Sequence, residues 1–404
     1  MKALMKNQML GGILLIAGTT LGVGMLAFPV VTAFGGFIPS TFLLMAIWLV
    51  MFISAIFFLD ANLSVKGENN MVSMAEKTIG TWGKLLAWIV YLLLLYSLTA
   101  AYIAGCSPLI VEAIHTATGY SIPEWLAPFA LPVVFGGFIY FGTGGVDRVN
   151  RLLMFCLVLA YILLVCFVPT HVNFEHLLHA DAPAMLIAIP VVITSFGYHI
   201  IIPSLSNYMK RDRKTLRKTI LIGSMIPVVV YLLWQTLILG TVPLPLLTKA
   251  YVLGDSATTP LAQVLQNSWI GLAAKLFAFF AIVTSFIGVT LSLSDFLTDG
   301  FKIKKSWEGR LLAIFLTFIP PLFFVFTYQR GFYIALQYAG AFVAILLVFL
   351  PAAMVWKLKK YQTGPRRLLL IVMMVIAALV VYFDVLEERG NFKPLISKYL
   401  EKAK

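Results

Sequence analysis

The chain has 404 residues, of which 61% are hydrophobic and only 12% charged, with a formal net charge of +13. Soluble domains carry about 25% charged and 45–50% apolar residues, so composition excludes a soluble enzyme and points to an all-α membrane protein. The basic residues lie in short loops between apolar runs, not in a basic domain or an aromatic-interleaved patch, which excludes a nucleic-acid partner.

Eleven transmembrane helices are predicted, near residues 10–34, 38–62, 84–113, 128–142, 151–169, 183–207, 219–242, 268–298, 309–327, 331–356 and 367–384. The first follows Lys2 and Lys6. It is too long for a signal-peptide core and no small-residue cleavage site follows, so it is expected to be retained. Within it runs "GTTLGVGML", Gly18 to Leu26. The Gly22-Val23-Gly24 step falls about 18 Å from the span's start, near the middle of a core about 30 Å thick. Glycine weakens a helix interior, and threonine hydroxyls can take over backbone partners that a break frees. The segment therefore reads as two half-helices with an unwound step. Gly18-x-x-x-Gly22 is also a small-residue packing motif. Gly12 is expected to tolerate a large side chain where Gly22 does not.

The fourth span is short. The sixth contains "TSFGYH", Thr194 to His199, at a similar depth, with Pro190 before it and Pro203 after it. Proline removes a helix hydrogen bond and clashes with the preceding turn. Interrupted spans at corresponding places in two halves are a pointer to a transporter binding site. The longest loop lies near 243–267. His171, His176 and His179, with Glu175 and Asp181, match no zinc spacing and read as a polar outer loop. Cys106, Cys156 and Cys166 form neither a disulfide framework nor a metal set. No cofactor or metal is expected.

The loops orient the chain. With the N-terminus inside, inner segments hold 22 of the 30 basic residues, including Lys210, Arg211, Arg213, Lys214, Arg217 and Lys218, and also Lys302, Lys304 and Lys305. Five of the remainder lie in the tail, among them Lys402 and Lys404. This places the N-terminus in the cytoplasm and the C-terminus in the periplasm. Five spans separate the first and sixth, so the second set of five enters from the opposite side. Residues 7–169 then form one repeat and residues 183–357 its inverted partner. Residues 366–385 are the eleventh helix, and 386–404 a short external tail.

Direction gives the chemistry. The second half of helix one presents free N–H groups near Val23–Met25, which suit a carboxylate. The first half of helix six ends near Thr194–Phe196 with free carbonyls, which suit an ammonium. One zwitterion can bridge the two breaks.

At these residues the chain resembles the bacterial aromatic amino acid permeases, the tyrosine- and tryptophan-specific carriers. The resemblance covers essentially the whole chain. It rests on "GGILLIAGTTLGVGMLAFPV" (11–30), "FLDANL" (58–63), "YSLTAAYIAG" (96–105), "SFGYHIIIPSL" (195–205), "TSFIGVTLSLSDFLTD" (284–299) and "GFYIALQYAG" (331–340). That family is similar in turn to the amino acid/polyamine superfamily with the LeuT-like five-plus-five inverted repeat and discontinuous helices 1 and 6. The resemblance implies import of an aromatic L-amino acid across the bacterial inner membrane, tyrosine first and tryptophan second. It also implies symport, usually with H+. The chain departs from its relatives at Ile200–Ile202 and at Ser294, both near the expected path. These departures bear on the substrate more than on the family.

The candidate substrate contacts are Gly18, Thr19, Thr20, Gly22, Gly24, Tyr102, Ser195, Phe196, Gly197, Tyr198 and His199. Phe28, Phe286 and Tyr338 are further candidates for a ring pocket. His199, the only histidine inside a span, is either a substrate or proton group or a neutral cap on freed carbonyls. By the resemblance, Thr284 and Ser285 line an ion site against the first helix; hydroxyl back-bonding to their own helix is the structural alternative. Proton coupling is the expectation and Na+ the alternative. Lys275 is expected to snorkel. Asp60 and Asp295 are read as solvated or ion-paired helix ends. An inner gate between Asp295 and the Lys210–Lys218 cluster has no geometric support from sequence. The rivals are a sodium-coupled or small neutral amino acid carrier and, from another class, an integral membrane enzyme. No obligate protein partner is indicated beyond the lipid bilayer itself.

Overall fold

A computed structural model describes residues 2–401 other than 68, 69, 142–145, 305, 329 and 392. Lys305, Lys402 and Lys404 of the charge pattern lie outside the described residues. The helices, in chain order, begin with α1 (Lys2–Thr20), α2 (Gly24–Thr32), α3 (Phe37–Ser64), α4 (Met71–Ile79), α5 (Thr81–Thr118) and α6 (Ala130–Phe141). Next come α7 (Val146–Phe167), α8 (Ile189–Thr194), α9 (Ile202–Tyr208), α10 (Arg213–Thr241), α11 (Leu244–Leu253) and α12 (Thr258–Leu265). The last are α13 (Ser268–Gly300), α14 (Trp307–Thr327), α15 (Gly331–Val343), α16 (Leu350–Met354), α17 (Gly364–Glu388) and α18 (Lys393–Glu401). Among the described residues there is no strand.

Among the described residues, nine segments are long and apolar enough to cross a membrane, ten if α1 and α2 count as one broken span bent by 56°. The expected fourth span corresponds to α6, which with 12 residues is too short to join that set. Polar side chains cap two of the long helices. Asp212 accepts from the Lys214 N–H at the head of α10, and Asn267 accepts from Trp269 and Ile270 at the head of α13. Pro190 and Pro203 each sit in the first turn of α8 and α9, where a missing N–H costs least. Each proline thus starts a new helix; between them Ser195–Gly197 lie outside any helix and a 3-10 turn runs from Tyr198 to Ile201, within one span from Pro183 to Tyr208.

The packing brings the interrupted segments together. The α1 helix lies along α10, while α2 packs on α8 and α10. In turn α8 packs on α15, and α5 packs on α13 and α15. At one rim Gly36 pairs with Ala180 in an isolated antiparallel bridge, and the Asp181 N–H donates to the Gly35 carbonyl at 2.9 Å. Gly36 has φ +81°, and a Cβ there would collide with the His179 carbonyl, so only glycine fits. The Ala257 N–H donates to the Leu26 carbonyl at 3.0 Å, tying the stretch before α12 to α2. Near the same rim α18 packs on α11. The buried Tyr399 lies 5.6 Å from Phe34 and 5.8 Å from His179, ring to ring, and donates its hydroxyl to Asp181 at 2.6 Å.

At the opposite end Asp60, whose side chain is 3% exposed, accepts from Arg213 at 2.5 Å, Lys360 at 2.6 Å and the Tyr361 hydroxyl at 2.5 Å. This acid ties α3 to the start of α10 and to the turn between α16 and α17. The basic cluster at 210–218 therefore reaches Asp60 through Arg213. Lys275 pairs with Glu112 of α5 at 2.6 Å. His176 and His179 contact the backbone oxygens of Gly240 and Phe34 at 3.1 and 3.0 Å, so these loop histidines hold polypeptide.

Candidate functional site

The helix of α1 stops at Thr20 and α2 starts at Gly24. The N–H groups of Gly22, Val23 and Gly24 donate to no acceptor among the described residues, whereas Met25 and Leu26 donate to the Gly22 and Val23 carbonyls at 3.0 and 2.9 Å. The free donors are thus one residue earlier in the chain than the expected Val23–Met25 set. They stand at the N-terminus of α2, where the helix dipole favours an anion. On the other side, the carbonyls of Gly18 and Thr19 accept no backbone N–H, as befits a helix C-terminus.

In the sixth span α8 ends at Thr194. Of the three carbonyls expected to be free, Ser195's lies 3.2 Å from the Tyr231 hydroxyl and Phe196's accepts the Tyr198 N–H at 3.0 Å. Thr194's lacks a donor among the described residues, and Ser195's lacks one whenever the Tyr231 proton goes to Thr20. The Ser195 hydroxyl turns back to the Val191 carbonyl at 2.9 Å.

The two interruptions touch. A Cβ on Gly24 would collide with Ser195 Oγ and come within 3.3 Å of the Ser195 Cα. A Cβ on Gly22 would meet Ser285 Oγ of α13 at 2.8 Å. Ser285 faces the hydroxyl of Tyr102 on α5. The Tyr231 hydroxyl of α10 lies 2.6 Å from the Thr20 carbonyl. Trp234, one turn on, donates its indole N–H to the Met25 carbonyl at 2.9 Å. Phe28 and Phe196 each approach Tyr231 with ring centres 5.7 Å apart. A packed cluster of Gly22, Gly24, Ser195, Ser285, Tyr102 and Tyr231 thus joins five helices at the breaks.

Other candidates fall elsewhere. Thr19 donates to Leu15 and Ile16 carbonyls, Thr20 to that of Ile16 at 2.7 Å, and Thr284 to that of Phe280 at 2.7 Å, each within its own helix. A Cβ on Gly18 would meet nothing within 4 Å. A Cβ on Gly12 would meet Leu205 at 2.7 Å and Thr219 at 2.9 Å, so the expected tolerance of Gly12 is corrected: it is a tight packing glycine. Gly197 would place a Cβ 3.4 Å from the Thr194 carbonyl, an ordinary contact. Tyr198 and His199 stack on each other, centroids 5.1 Å apart, and His199 meets Phe58 of α3 edge-on at 6.3 Å. Both are fully buried; the Tyr198 hydroxyl faces Ser224 and the His199 ring faces the Met51 backbone of α3, with no close hydrogen bond among the described residues. Phe286 packs with Phe135 and Phe318, and Tyr338 donates to Glu388 at 2.6 Å.

Sequence reasoning missed Tyr231 and Trp234. They are three residues apart on one helix face, but nothing in an uninterrupted span says which face meets the breaks. The surroundings are unequal: α2 is buried from Gly24 to Thr32, whereas α1 leaves Leu14, Leu15 and Thr19 exposed. On α13, Gly288, Asp295 and Asp299 are exposed on the face that carries Ser285.

The profile of the tryptophan/tyrosine permease family matches residues 5–386. The tyrosine-specific transport system 1 of Haemophilus influenzae is 35% identical over 363 residues, covering 88% of this chain and 89% of that protein. The glutamine transporter 2 of Aliivibrio fischeri is 30% identical over 363 residues, covering 89% of this chain and 91% of that protein. A crystal structure of a mutant manganese transporter from Eremococcus coleocola shares the fold, with a TM-score of 0.62 at 13% identity over 100% of this chain and 94% of that chain.

Proposed function

Because this chain belongs to the tryptophan/tyrosine permease family, and is a multi-pass membrane transport protein and not an enzyme, we propose that it imports an aromatic L-amino acid, tyrosine before tryptophan, across the bacterial inner membrane. The observation that carries the reading is the meeting of the two breaks at Gly24 and Ser195, beside three free N–H groups at Gly22–Gly24 and the unclaimed Thr194 carbonyl. The donors hold the substrate carboxylate, and the carbonyls of Thr194, Gly18 and Thr19 hold its ammonium. Tyr102, Phe28 and Phe196 supply aromatic surface to the ring.

The architecture in this proposal is eleven spans. The repeats are 7–169 and 183–357, with helices 1 and 6 discontinuous, α17 as the extra helix and 386–404 as an external tail. With the N-terminus cytoplasmic, the exposed faces of α1 and α13 open toward the cytoplasm while α2 closes the periplasmic side. That describes one state of an alternating-access cycle. Proton symport is the coupling, with His199 as the titrating group; Thr284 and Ser285 would serve Na+ in the alternative.

A glutamine carrier among the relatives favours a second reading, import of a smaller neutral amino acid. Uptake of labelled tyrosine, tryptophan and glutamine into proteoliposomes, under imposed proton or sodium gradients, separates the readings. Tyrosine uptake driven by the proton gradient supports the first. Glutamine uptake that exceeds both aromatics, or sodium dependence, replaces it.

A further inference from the structure

Positive charge gathers where α10 begins. Arg213, Lys214, Arg217 and Lys218 occupy its first two turns, and Lys360 approaches from the turn before α17. These five side chains line one cleft of about 460 Å³. Two carboxylates border it. Asp60 takes Arg213 and Lys360 from the protein side, and Asp212 is engaged at the head of the helix by the Lys214 N–H and by the Thr215 hydroxyl at 2.5 Å. The Lys214 ammonium also feels Asp212. Arg217 and Lys218 form no ion pair among the described residues, and Arg213 and Lys360 stay 46% and 32% exposed. The cleft keeps a surplus of cations.

What adjoins it is apolar. One turn beyond Lys218 the exposed side chains of α10 become Leu221, Ile222, Ile226, Val229 and Leu233. Past Arg366 and Arg367, α17 likewise exposes Leu368, Ile371, Val372, Val375 and Leu379. Four residues of helix span about 6 Å, so fixed cations give way to an apolar ridge over the distance that separates a phospholipid's phosphate from the start of its acyl chains.

We infer that this cleft binds the headgroup of an anionic phospholipid. The phosphodiester sits among Arg213, Lys214, Arg217, Lys218 and Lys360, and the acyl chains lie along the α10 ridge. A soluble phosphate would use the cations and leave the ridge idle. Arg213 and Lys360 would then be shared between Asp60 and the lipid, so the headgroup bears on the tie that joins α3, α10 and the turn before α17. The inference needs the membrane reading but not the substrate assignment.

Native mass spectrometry of the full-length chain, released from equimolar phosphatidylglycerol and phosphatidylcholine, tests it. Wild type should retain phosphatidylglycerol preferentially. R217Q/K218Q should lower that retention about tenfold or more, as two lost surface cations imply. K302Q/K304Q, which removes two cations outside the cleft, should not. Where R217Q/K218Q melts below wild type in detergent, the charge-keeping R217K/K218R variant should restore retention. Equal loss in both charge-removing pairs, no preference in wild type, or equal retention of soluble glycerol phosphate overturns the inference. Failure of tyrosine uptake leaves lipid retention unchanged, so the two readings fail separately.

Discussion

The hydroxyl of Tyr231 lies 2.6 Å from the carbonyl of Thr20, across 211 positions of chain, and within 3.2 Å of the Ser195 carbonyl. A phenol carries one proton, so it donates to one carbonyl at a time. Tyr231→Phe leaves the buried Thr20 carbonyl without its donor, a loss of about 1–3 kcal/mol. Thermal unfolding should show that drop, and tyrosine binding should weaken because the first break loses its tether. An unchanged melting temperature would mean the hydroxyl contributes nothing.

Gly24 and Gly18 should part company. Gly24→Ala drives a methyl into Ser195 and should abolish uptake, whereas Gly18→Ala meets open space and should leave uptake near wild type. Ser195→Gly in the Gly24→Ala background removes the colliding side chain and should restore part of the activity. Equal uptake defects for the two alanine variants would reduce both glycines to generic helix packing.

Asp60→Asn removes a buried charge from two half-exposed cations. The partners can turn to water, so the cost should be about 1–3 kcal/mol, below that of a fully buried pair. Differential scanning fluorimetry reads it. Lys304→Gln, at an exposed position, serves as the reference.

Gln235 is fully buried and neither amide atom has a hydrogen-bond partner among the described residues. Unsatisfied buried amides cost free energy that a similar-sized thioether does not. Gln235→Met should raise the melting temperature of substrate-free protein. A fall would show that the amide is satisfied.

The tail contact should respond to acid. The Tyr399 hydroxyl, then the Lys398 ammonium, hold the Asp181 carboxyl below its ordinary value of 3.8. A lowered folded-state value gives stability that is present above the unfolded value and is lost as pH falls through the folded one. The protection from hydrogen exchange that wild type shows over Asp181→Asn at Tyr399 should therefore be constant above about pH 5 and shrink below about pH 4. A difference that grows on acidification would reverse the sign.

Much of the frame was legible. Gly22, Gly24, Pro190 and Pro203 marked the irregular backbone because local chain stiffness depends on local residue type. Tyr102 was chosen for its neighbours and Ser285 through the family resemblance, and the two face each other. What stayed hidden was facing. The helical period says that Tyr231 and Trp234 share a side, not that this side meets Thr20 and Met25. For the same reason Gly12 gave no hint of Leu205 and Thr219, Phe286 none of Phe135, and Asp60 none of Lys360, 300 positions away. His199 was placed by depth alone, which gave no hint of its packing on Tyr198 and Phe58.

The bridge between Gly36 and Ala180 has a kinematic corollary. It rivets the far end of α2 to the strand of chain that leads into α8, so these two rods pivot as one lever or not at all. In the proposed transport cycle, flexure beside this lever is expected at Leu21–Val23 and Ser195–Gly197, the stretches proposed to hold the substrate, so binding and bending would share the same residues.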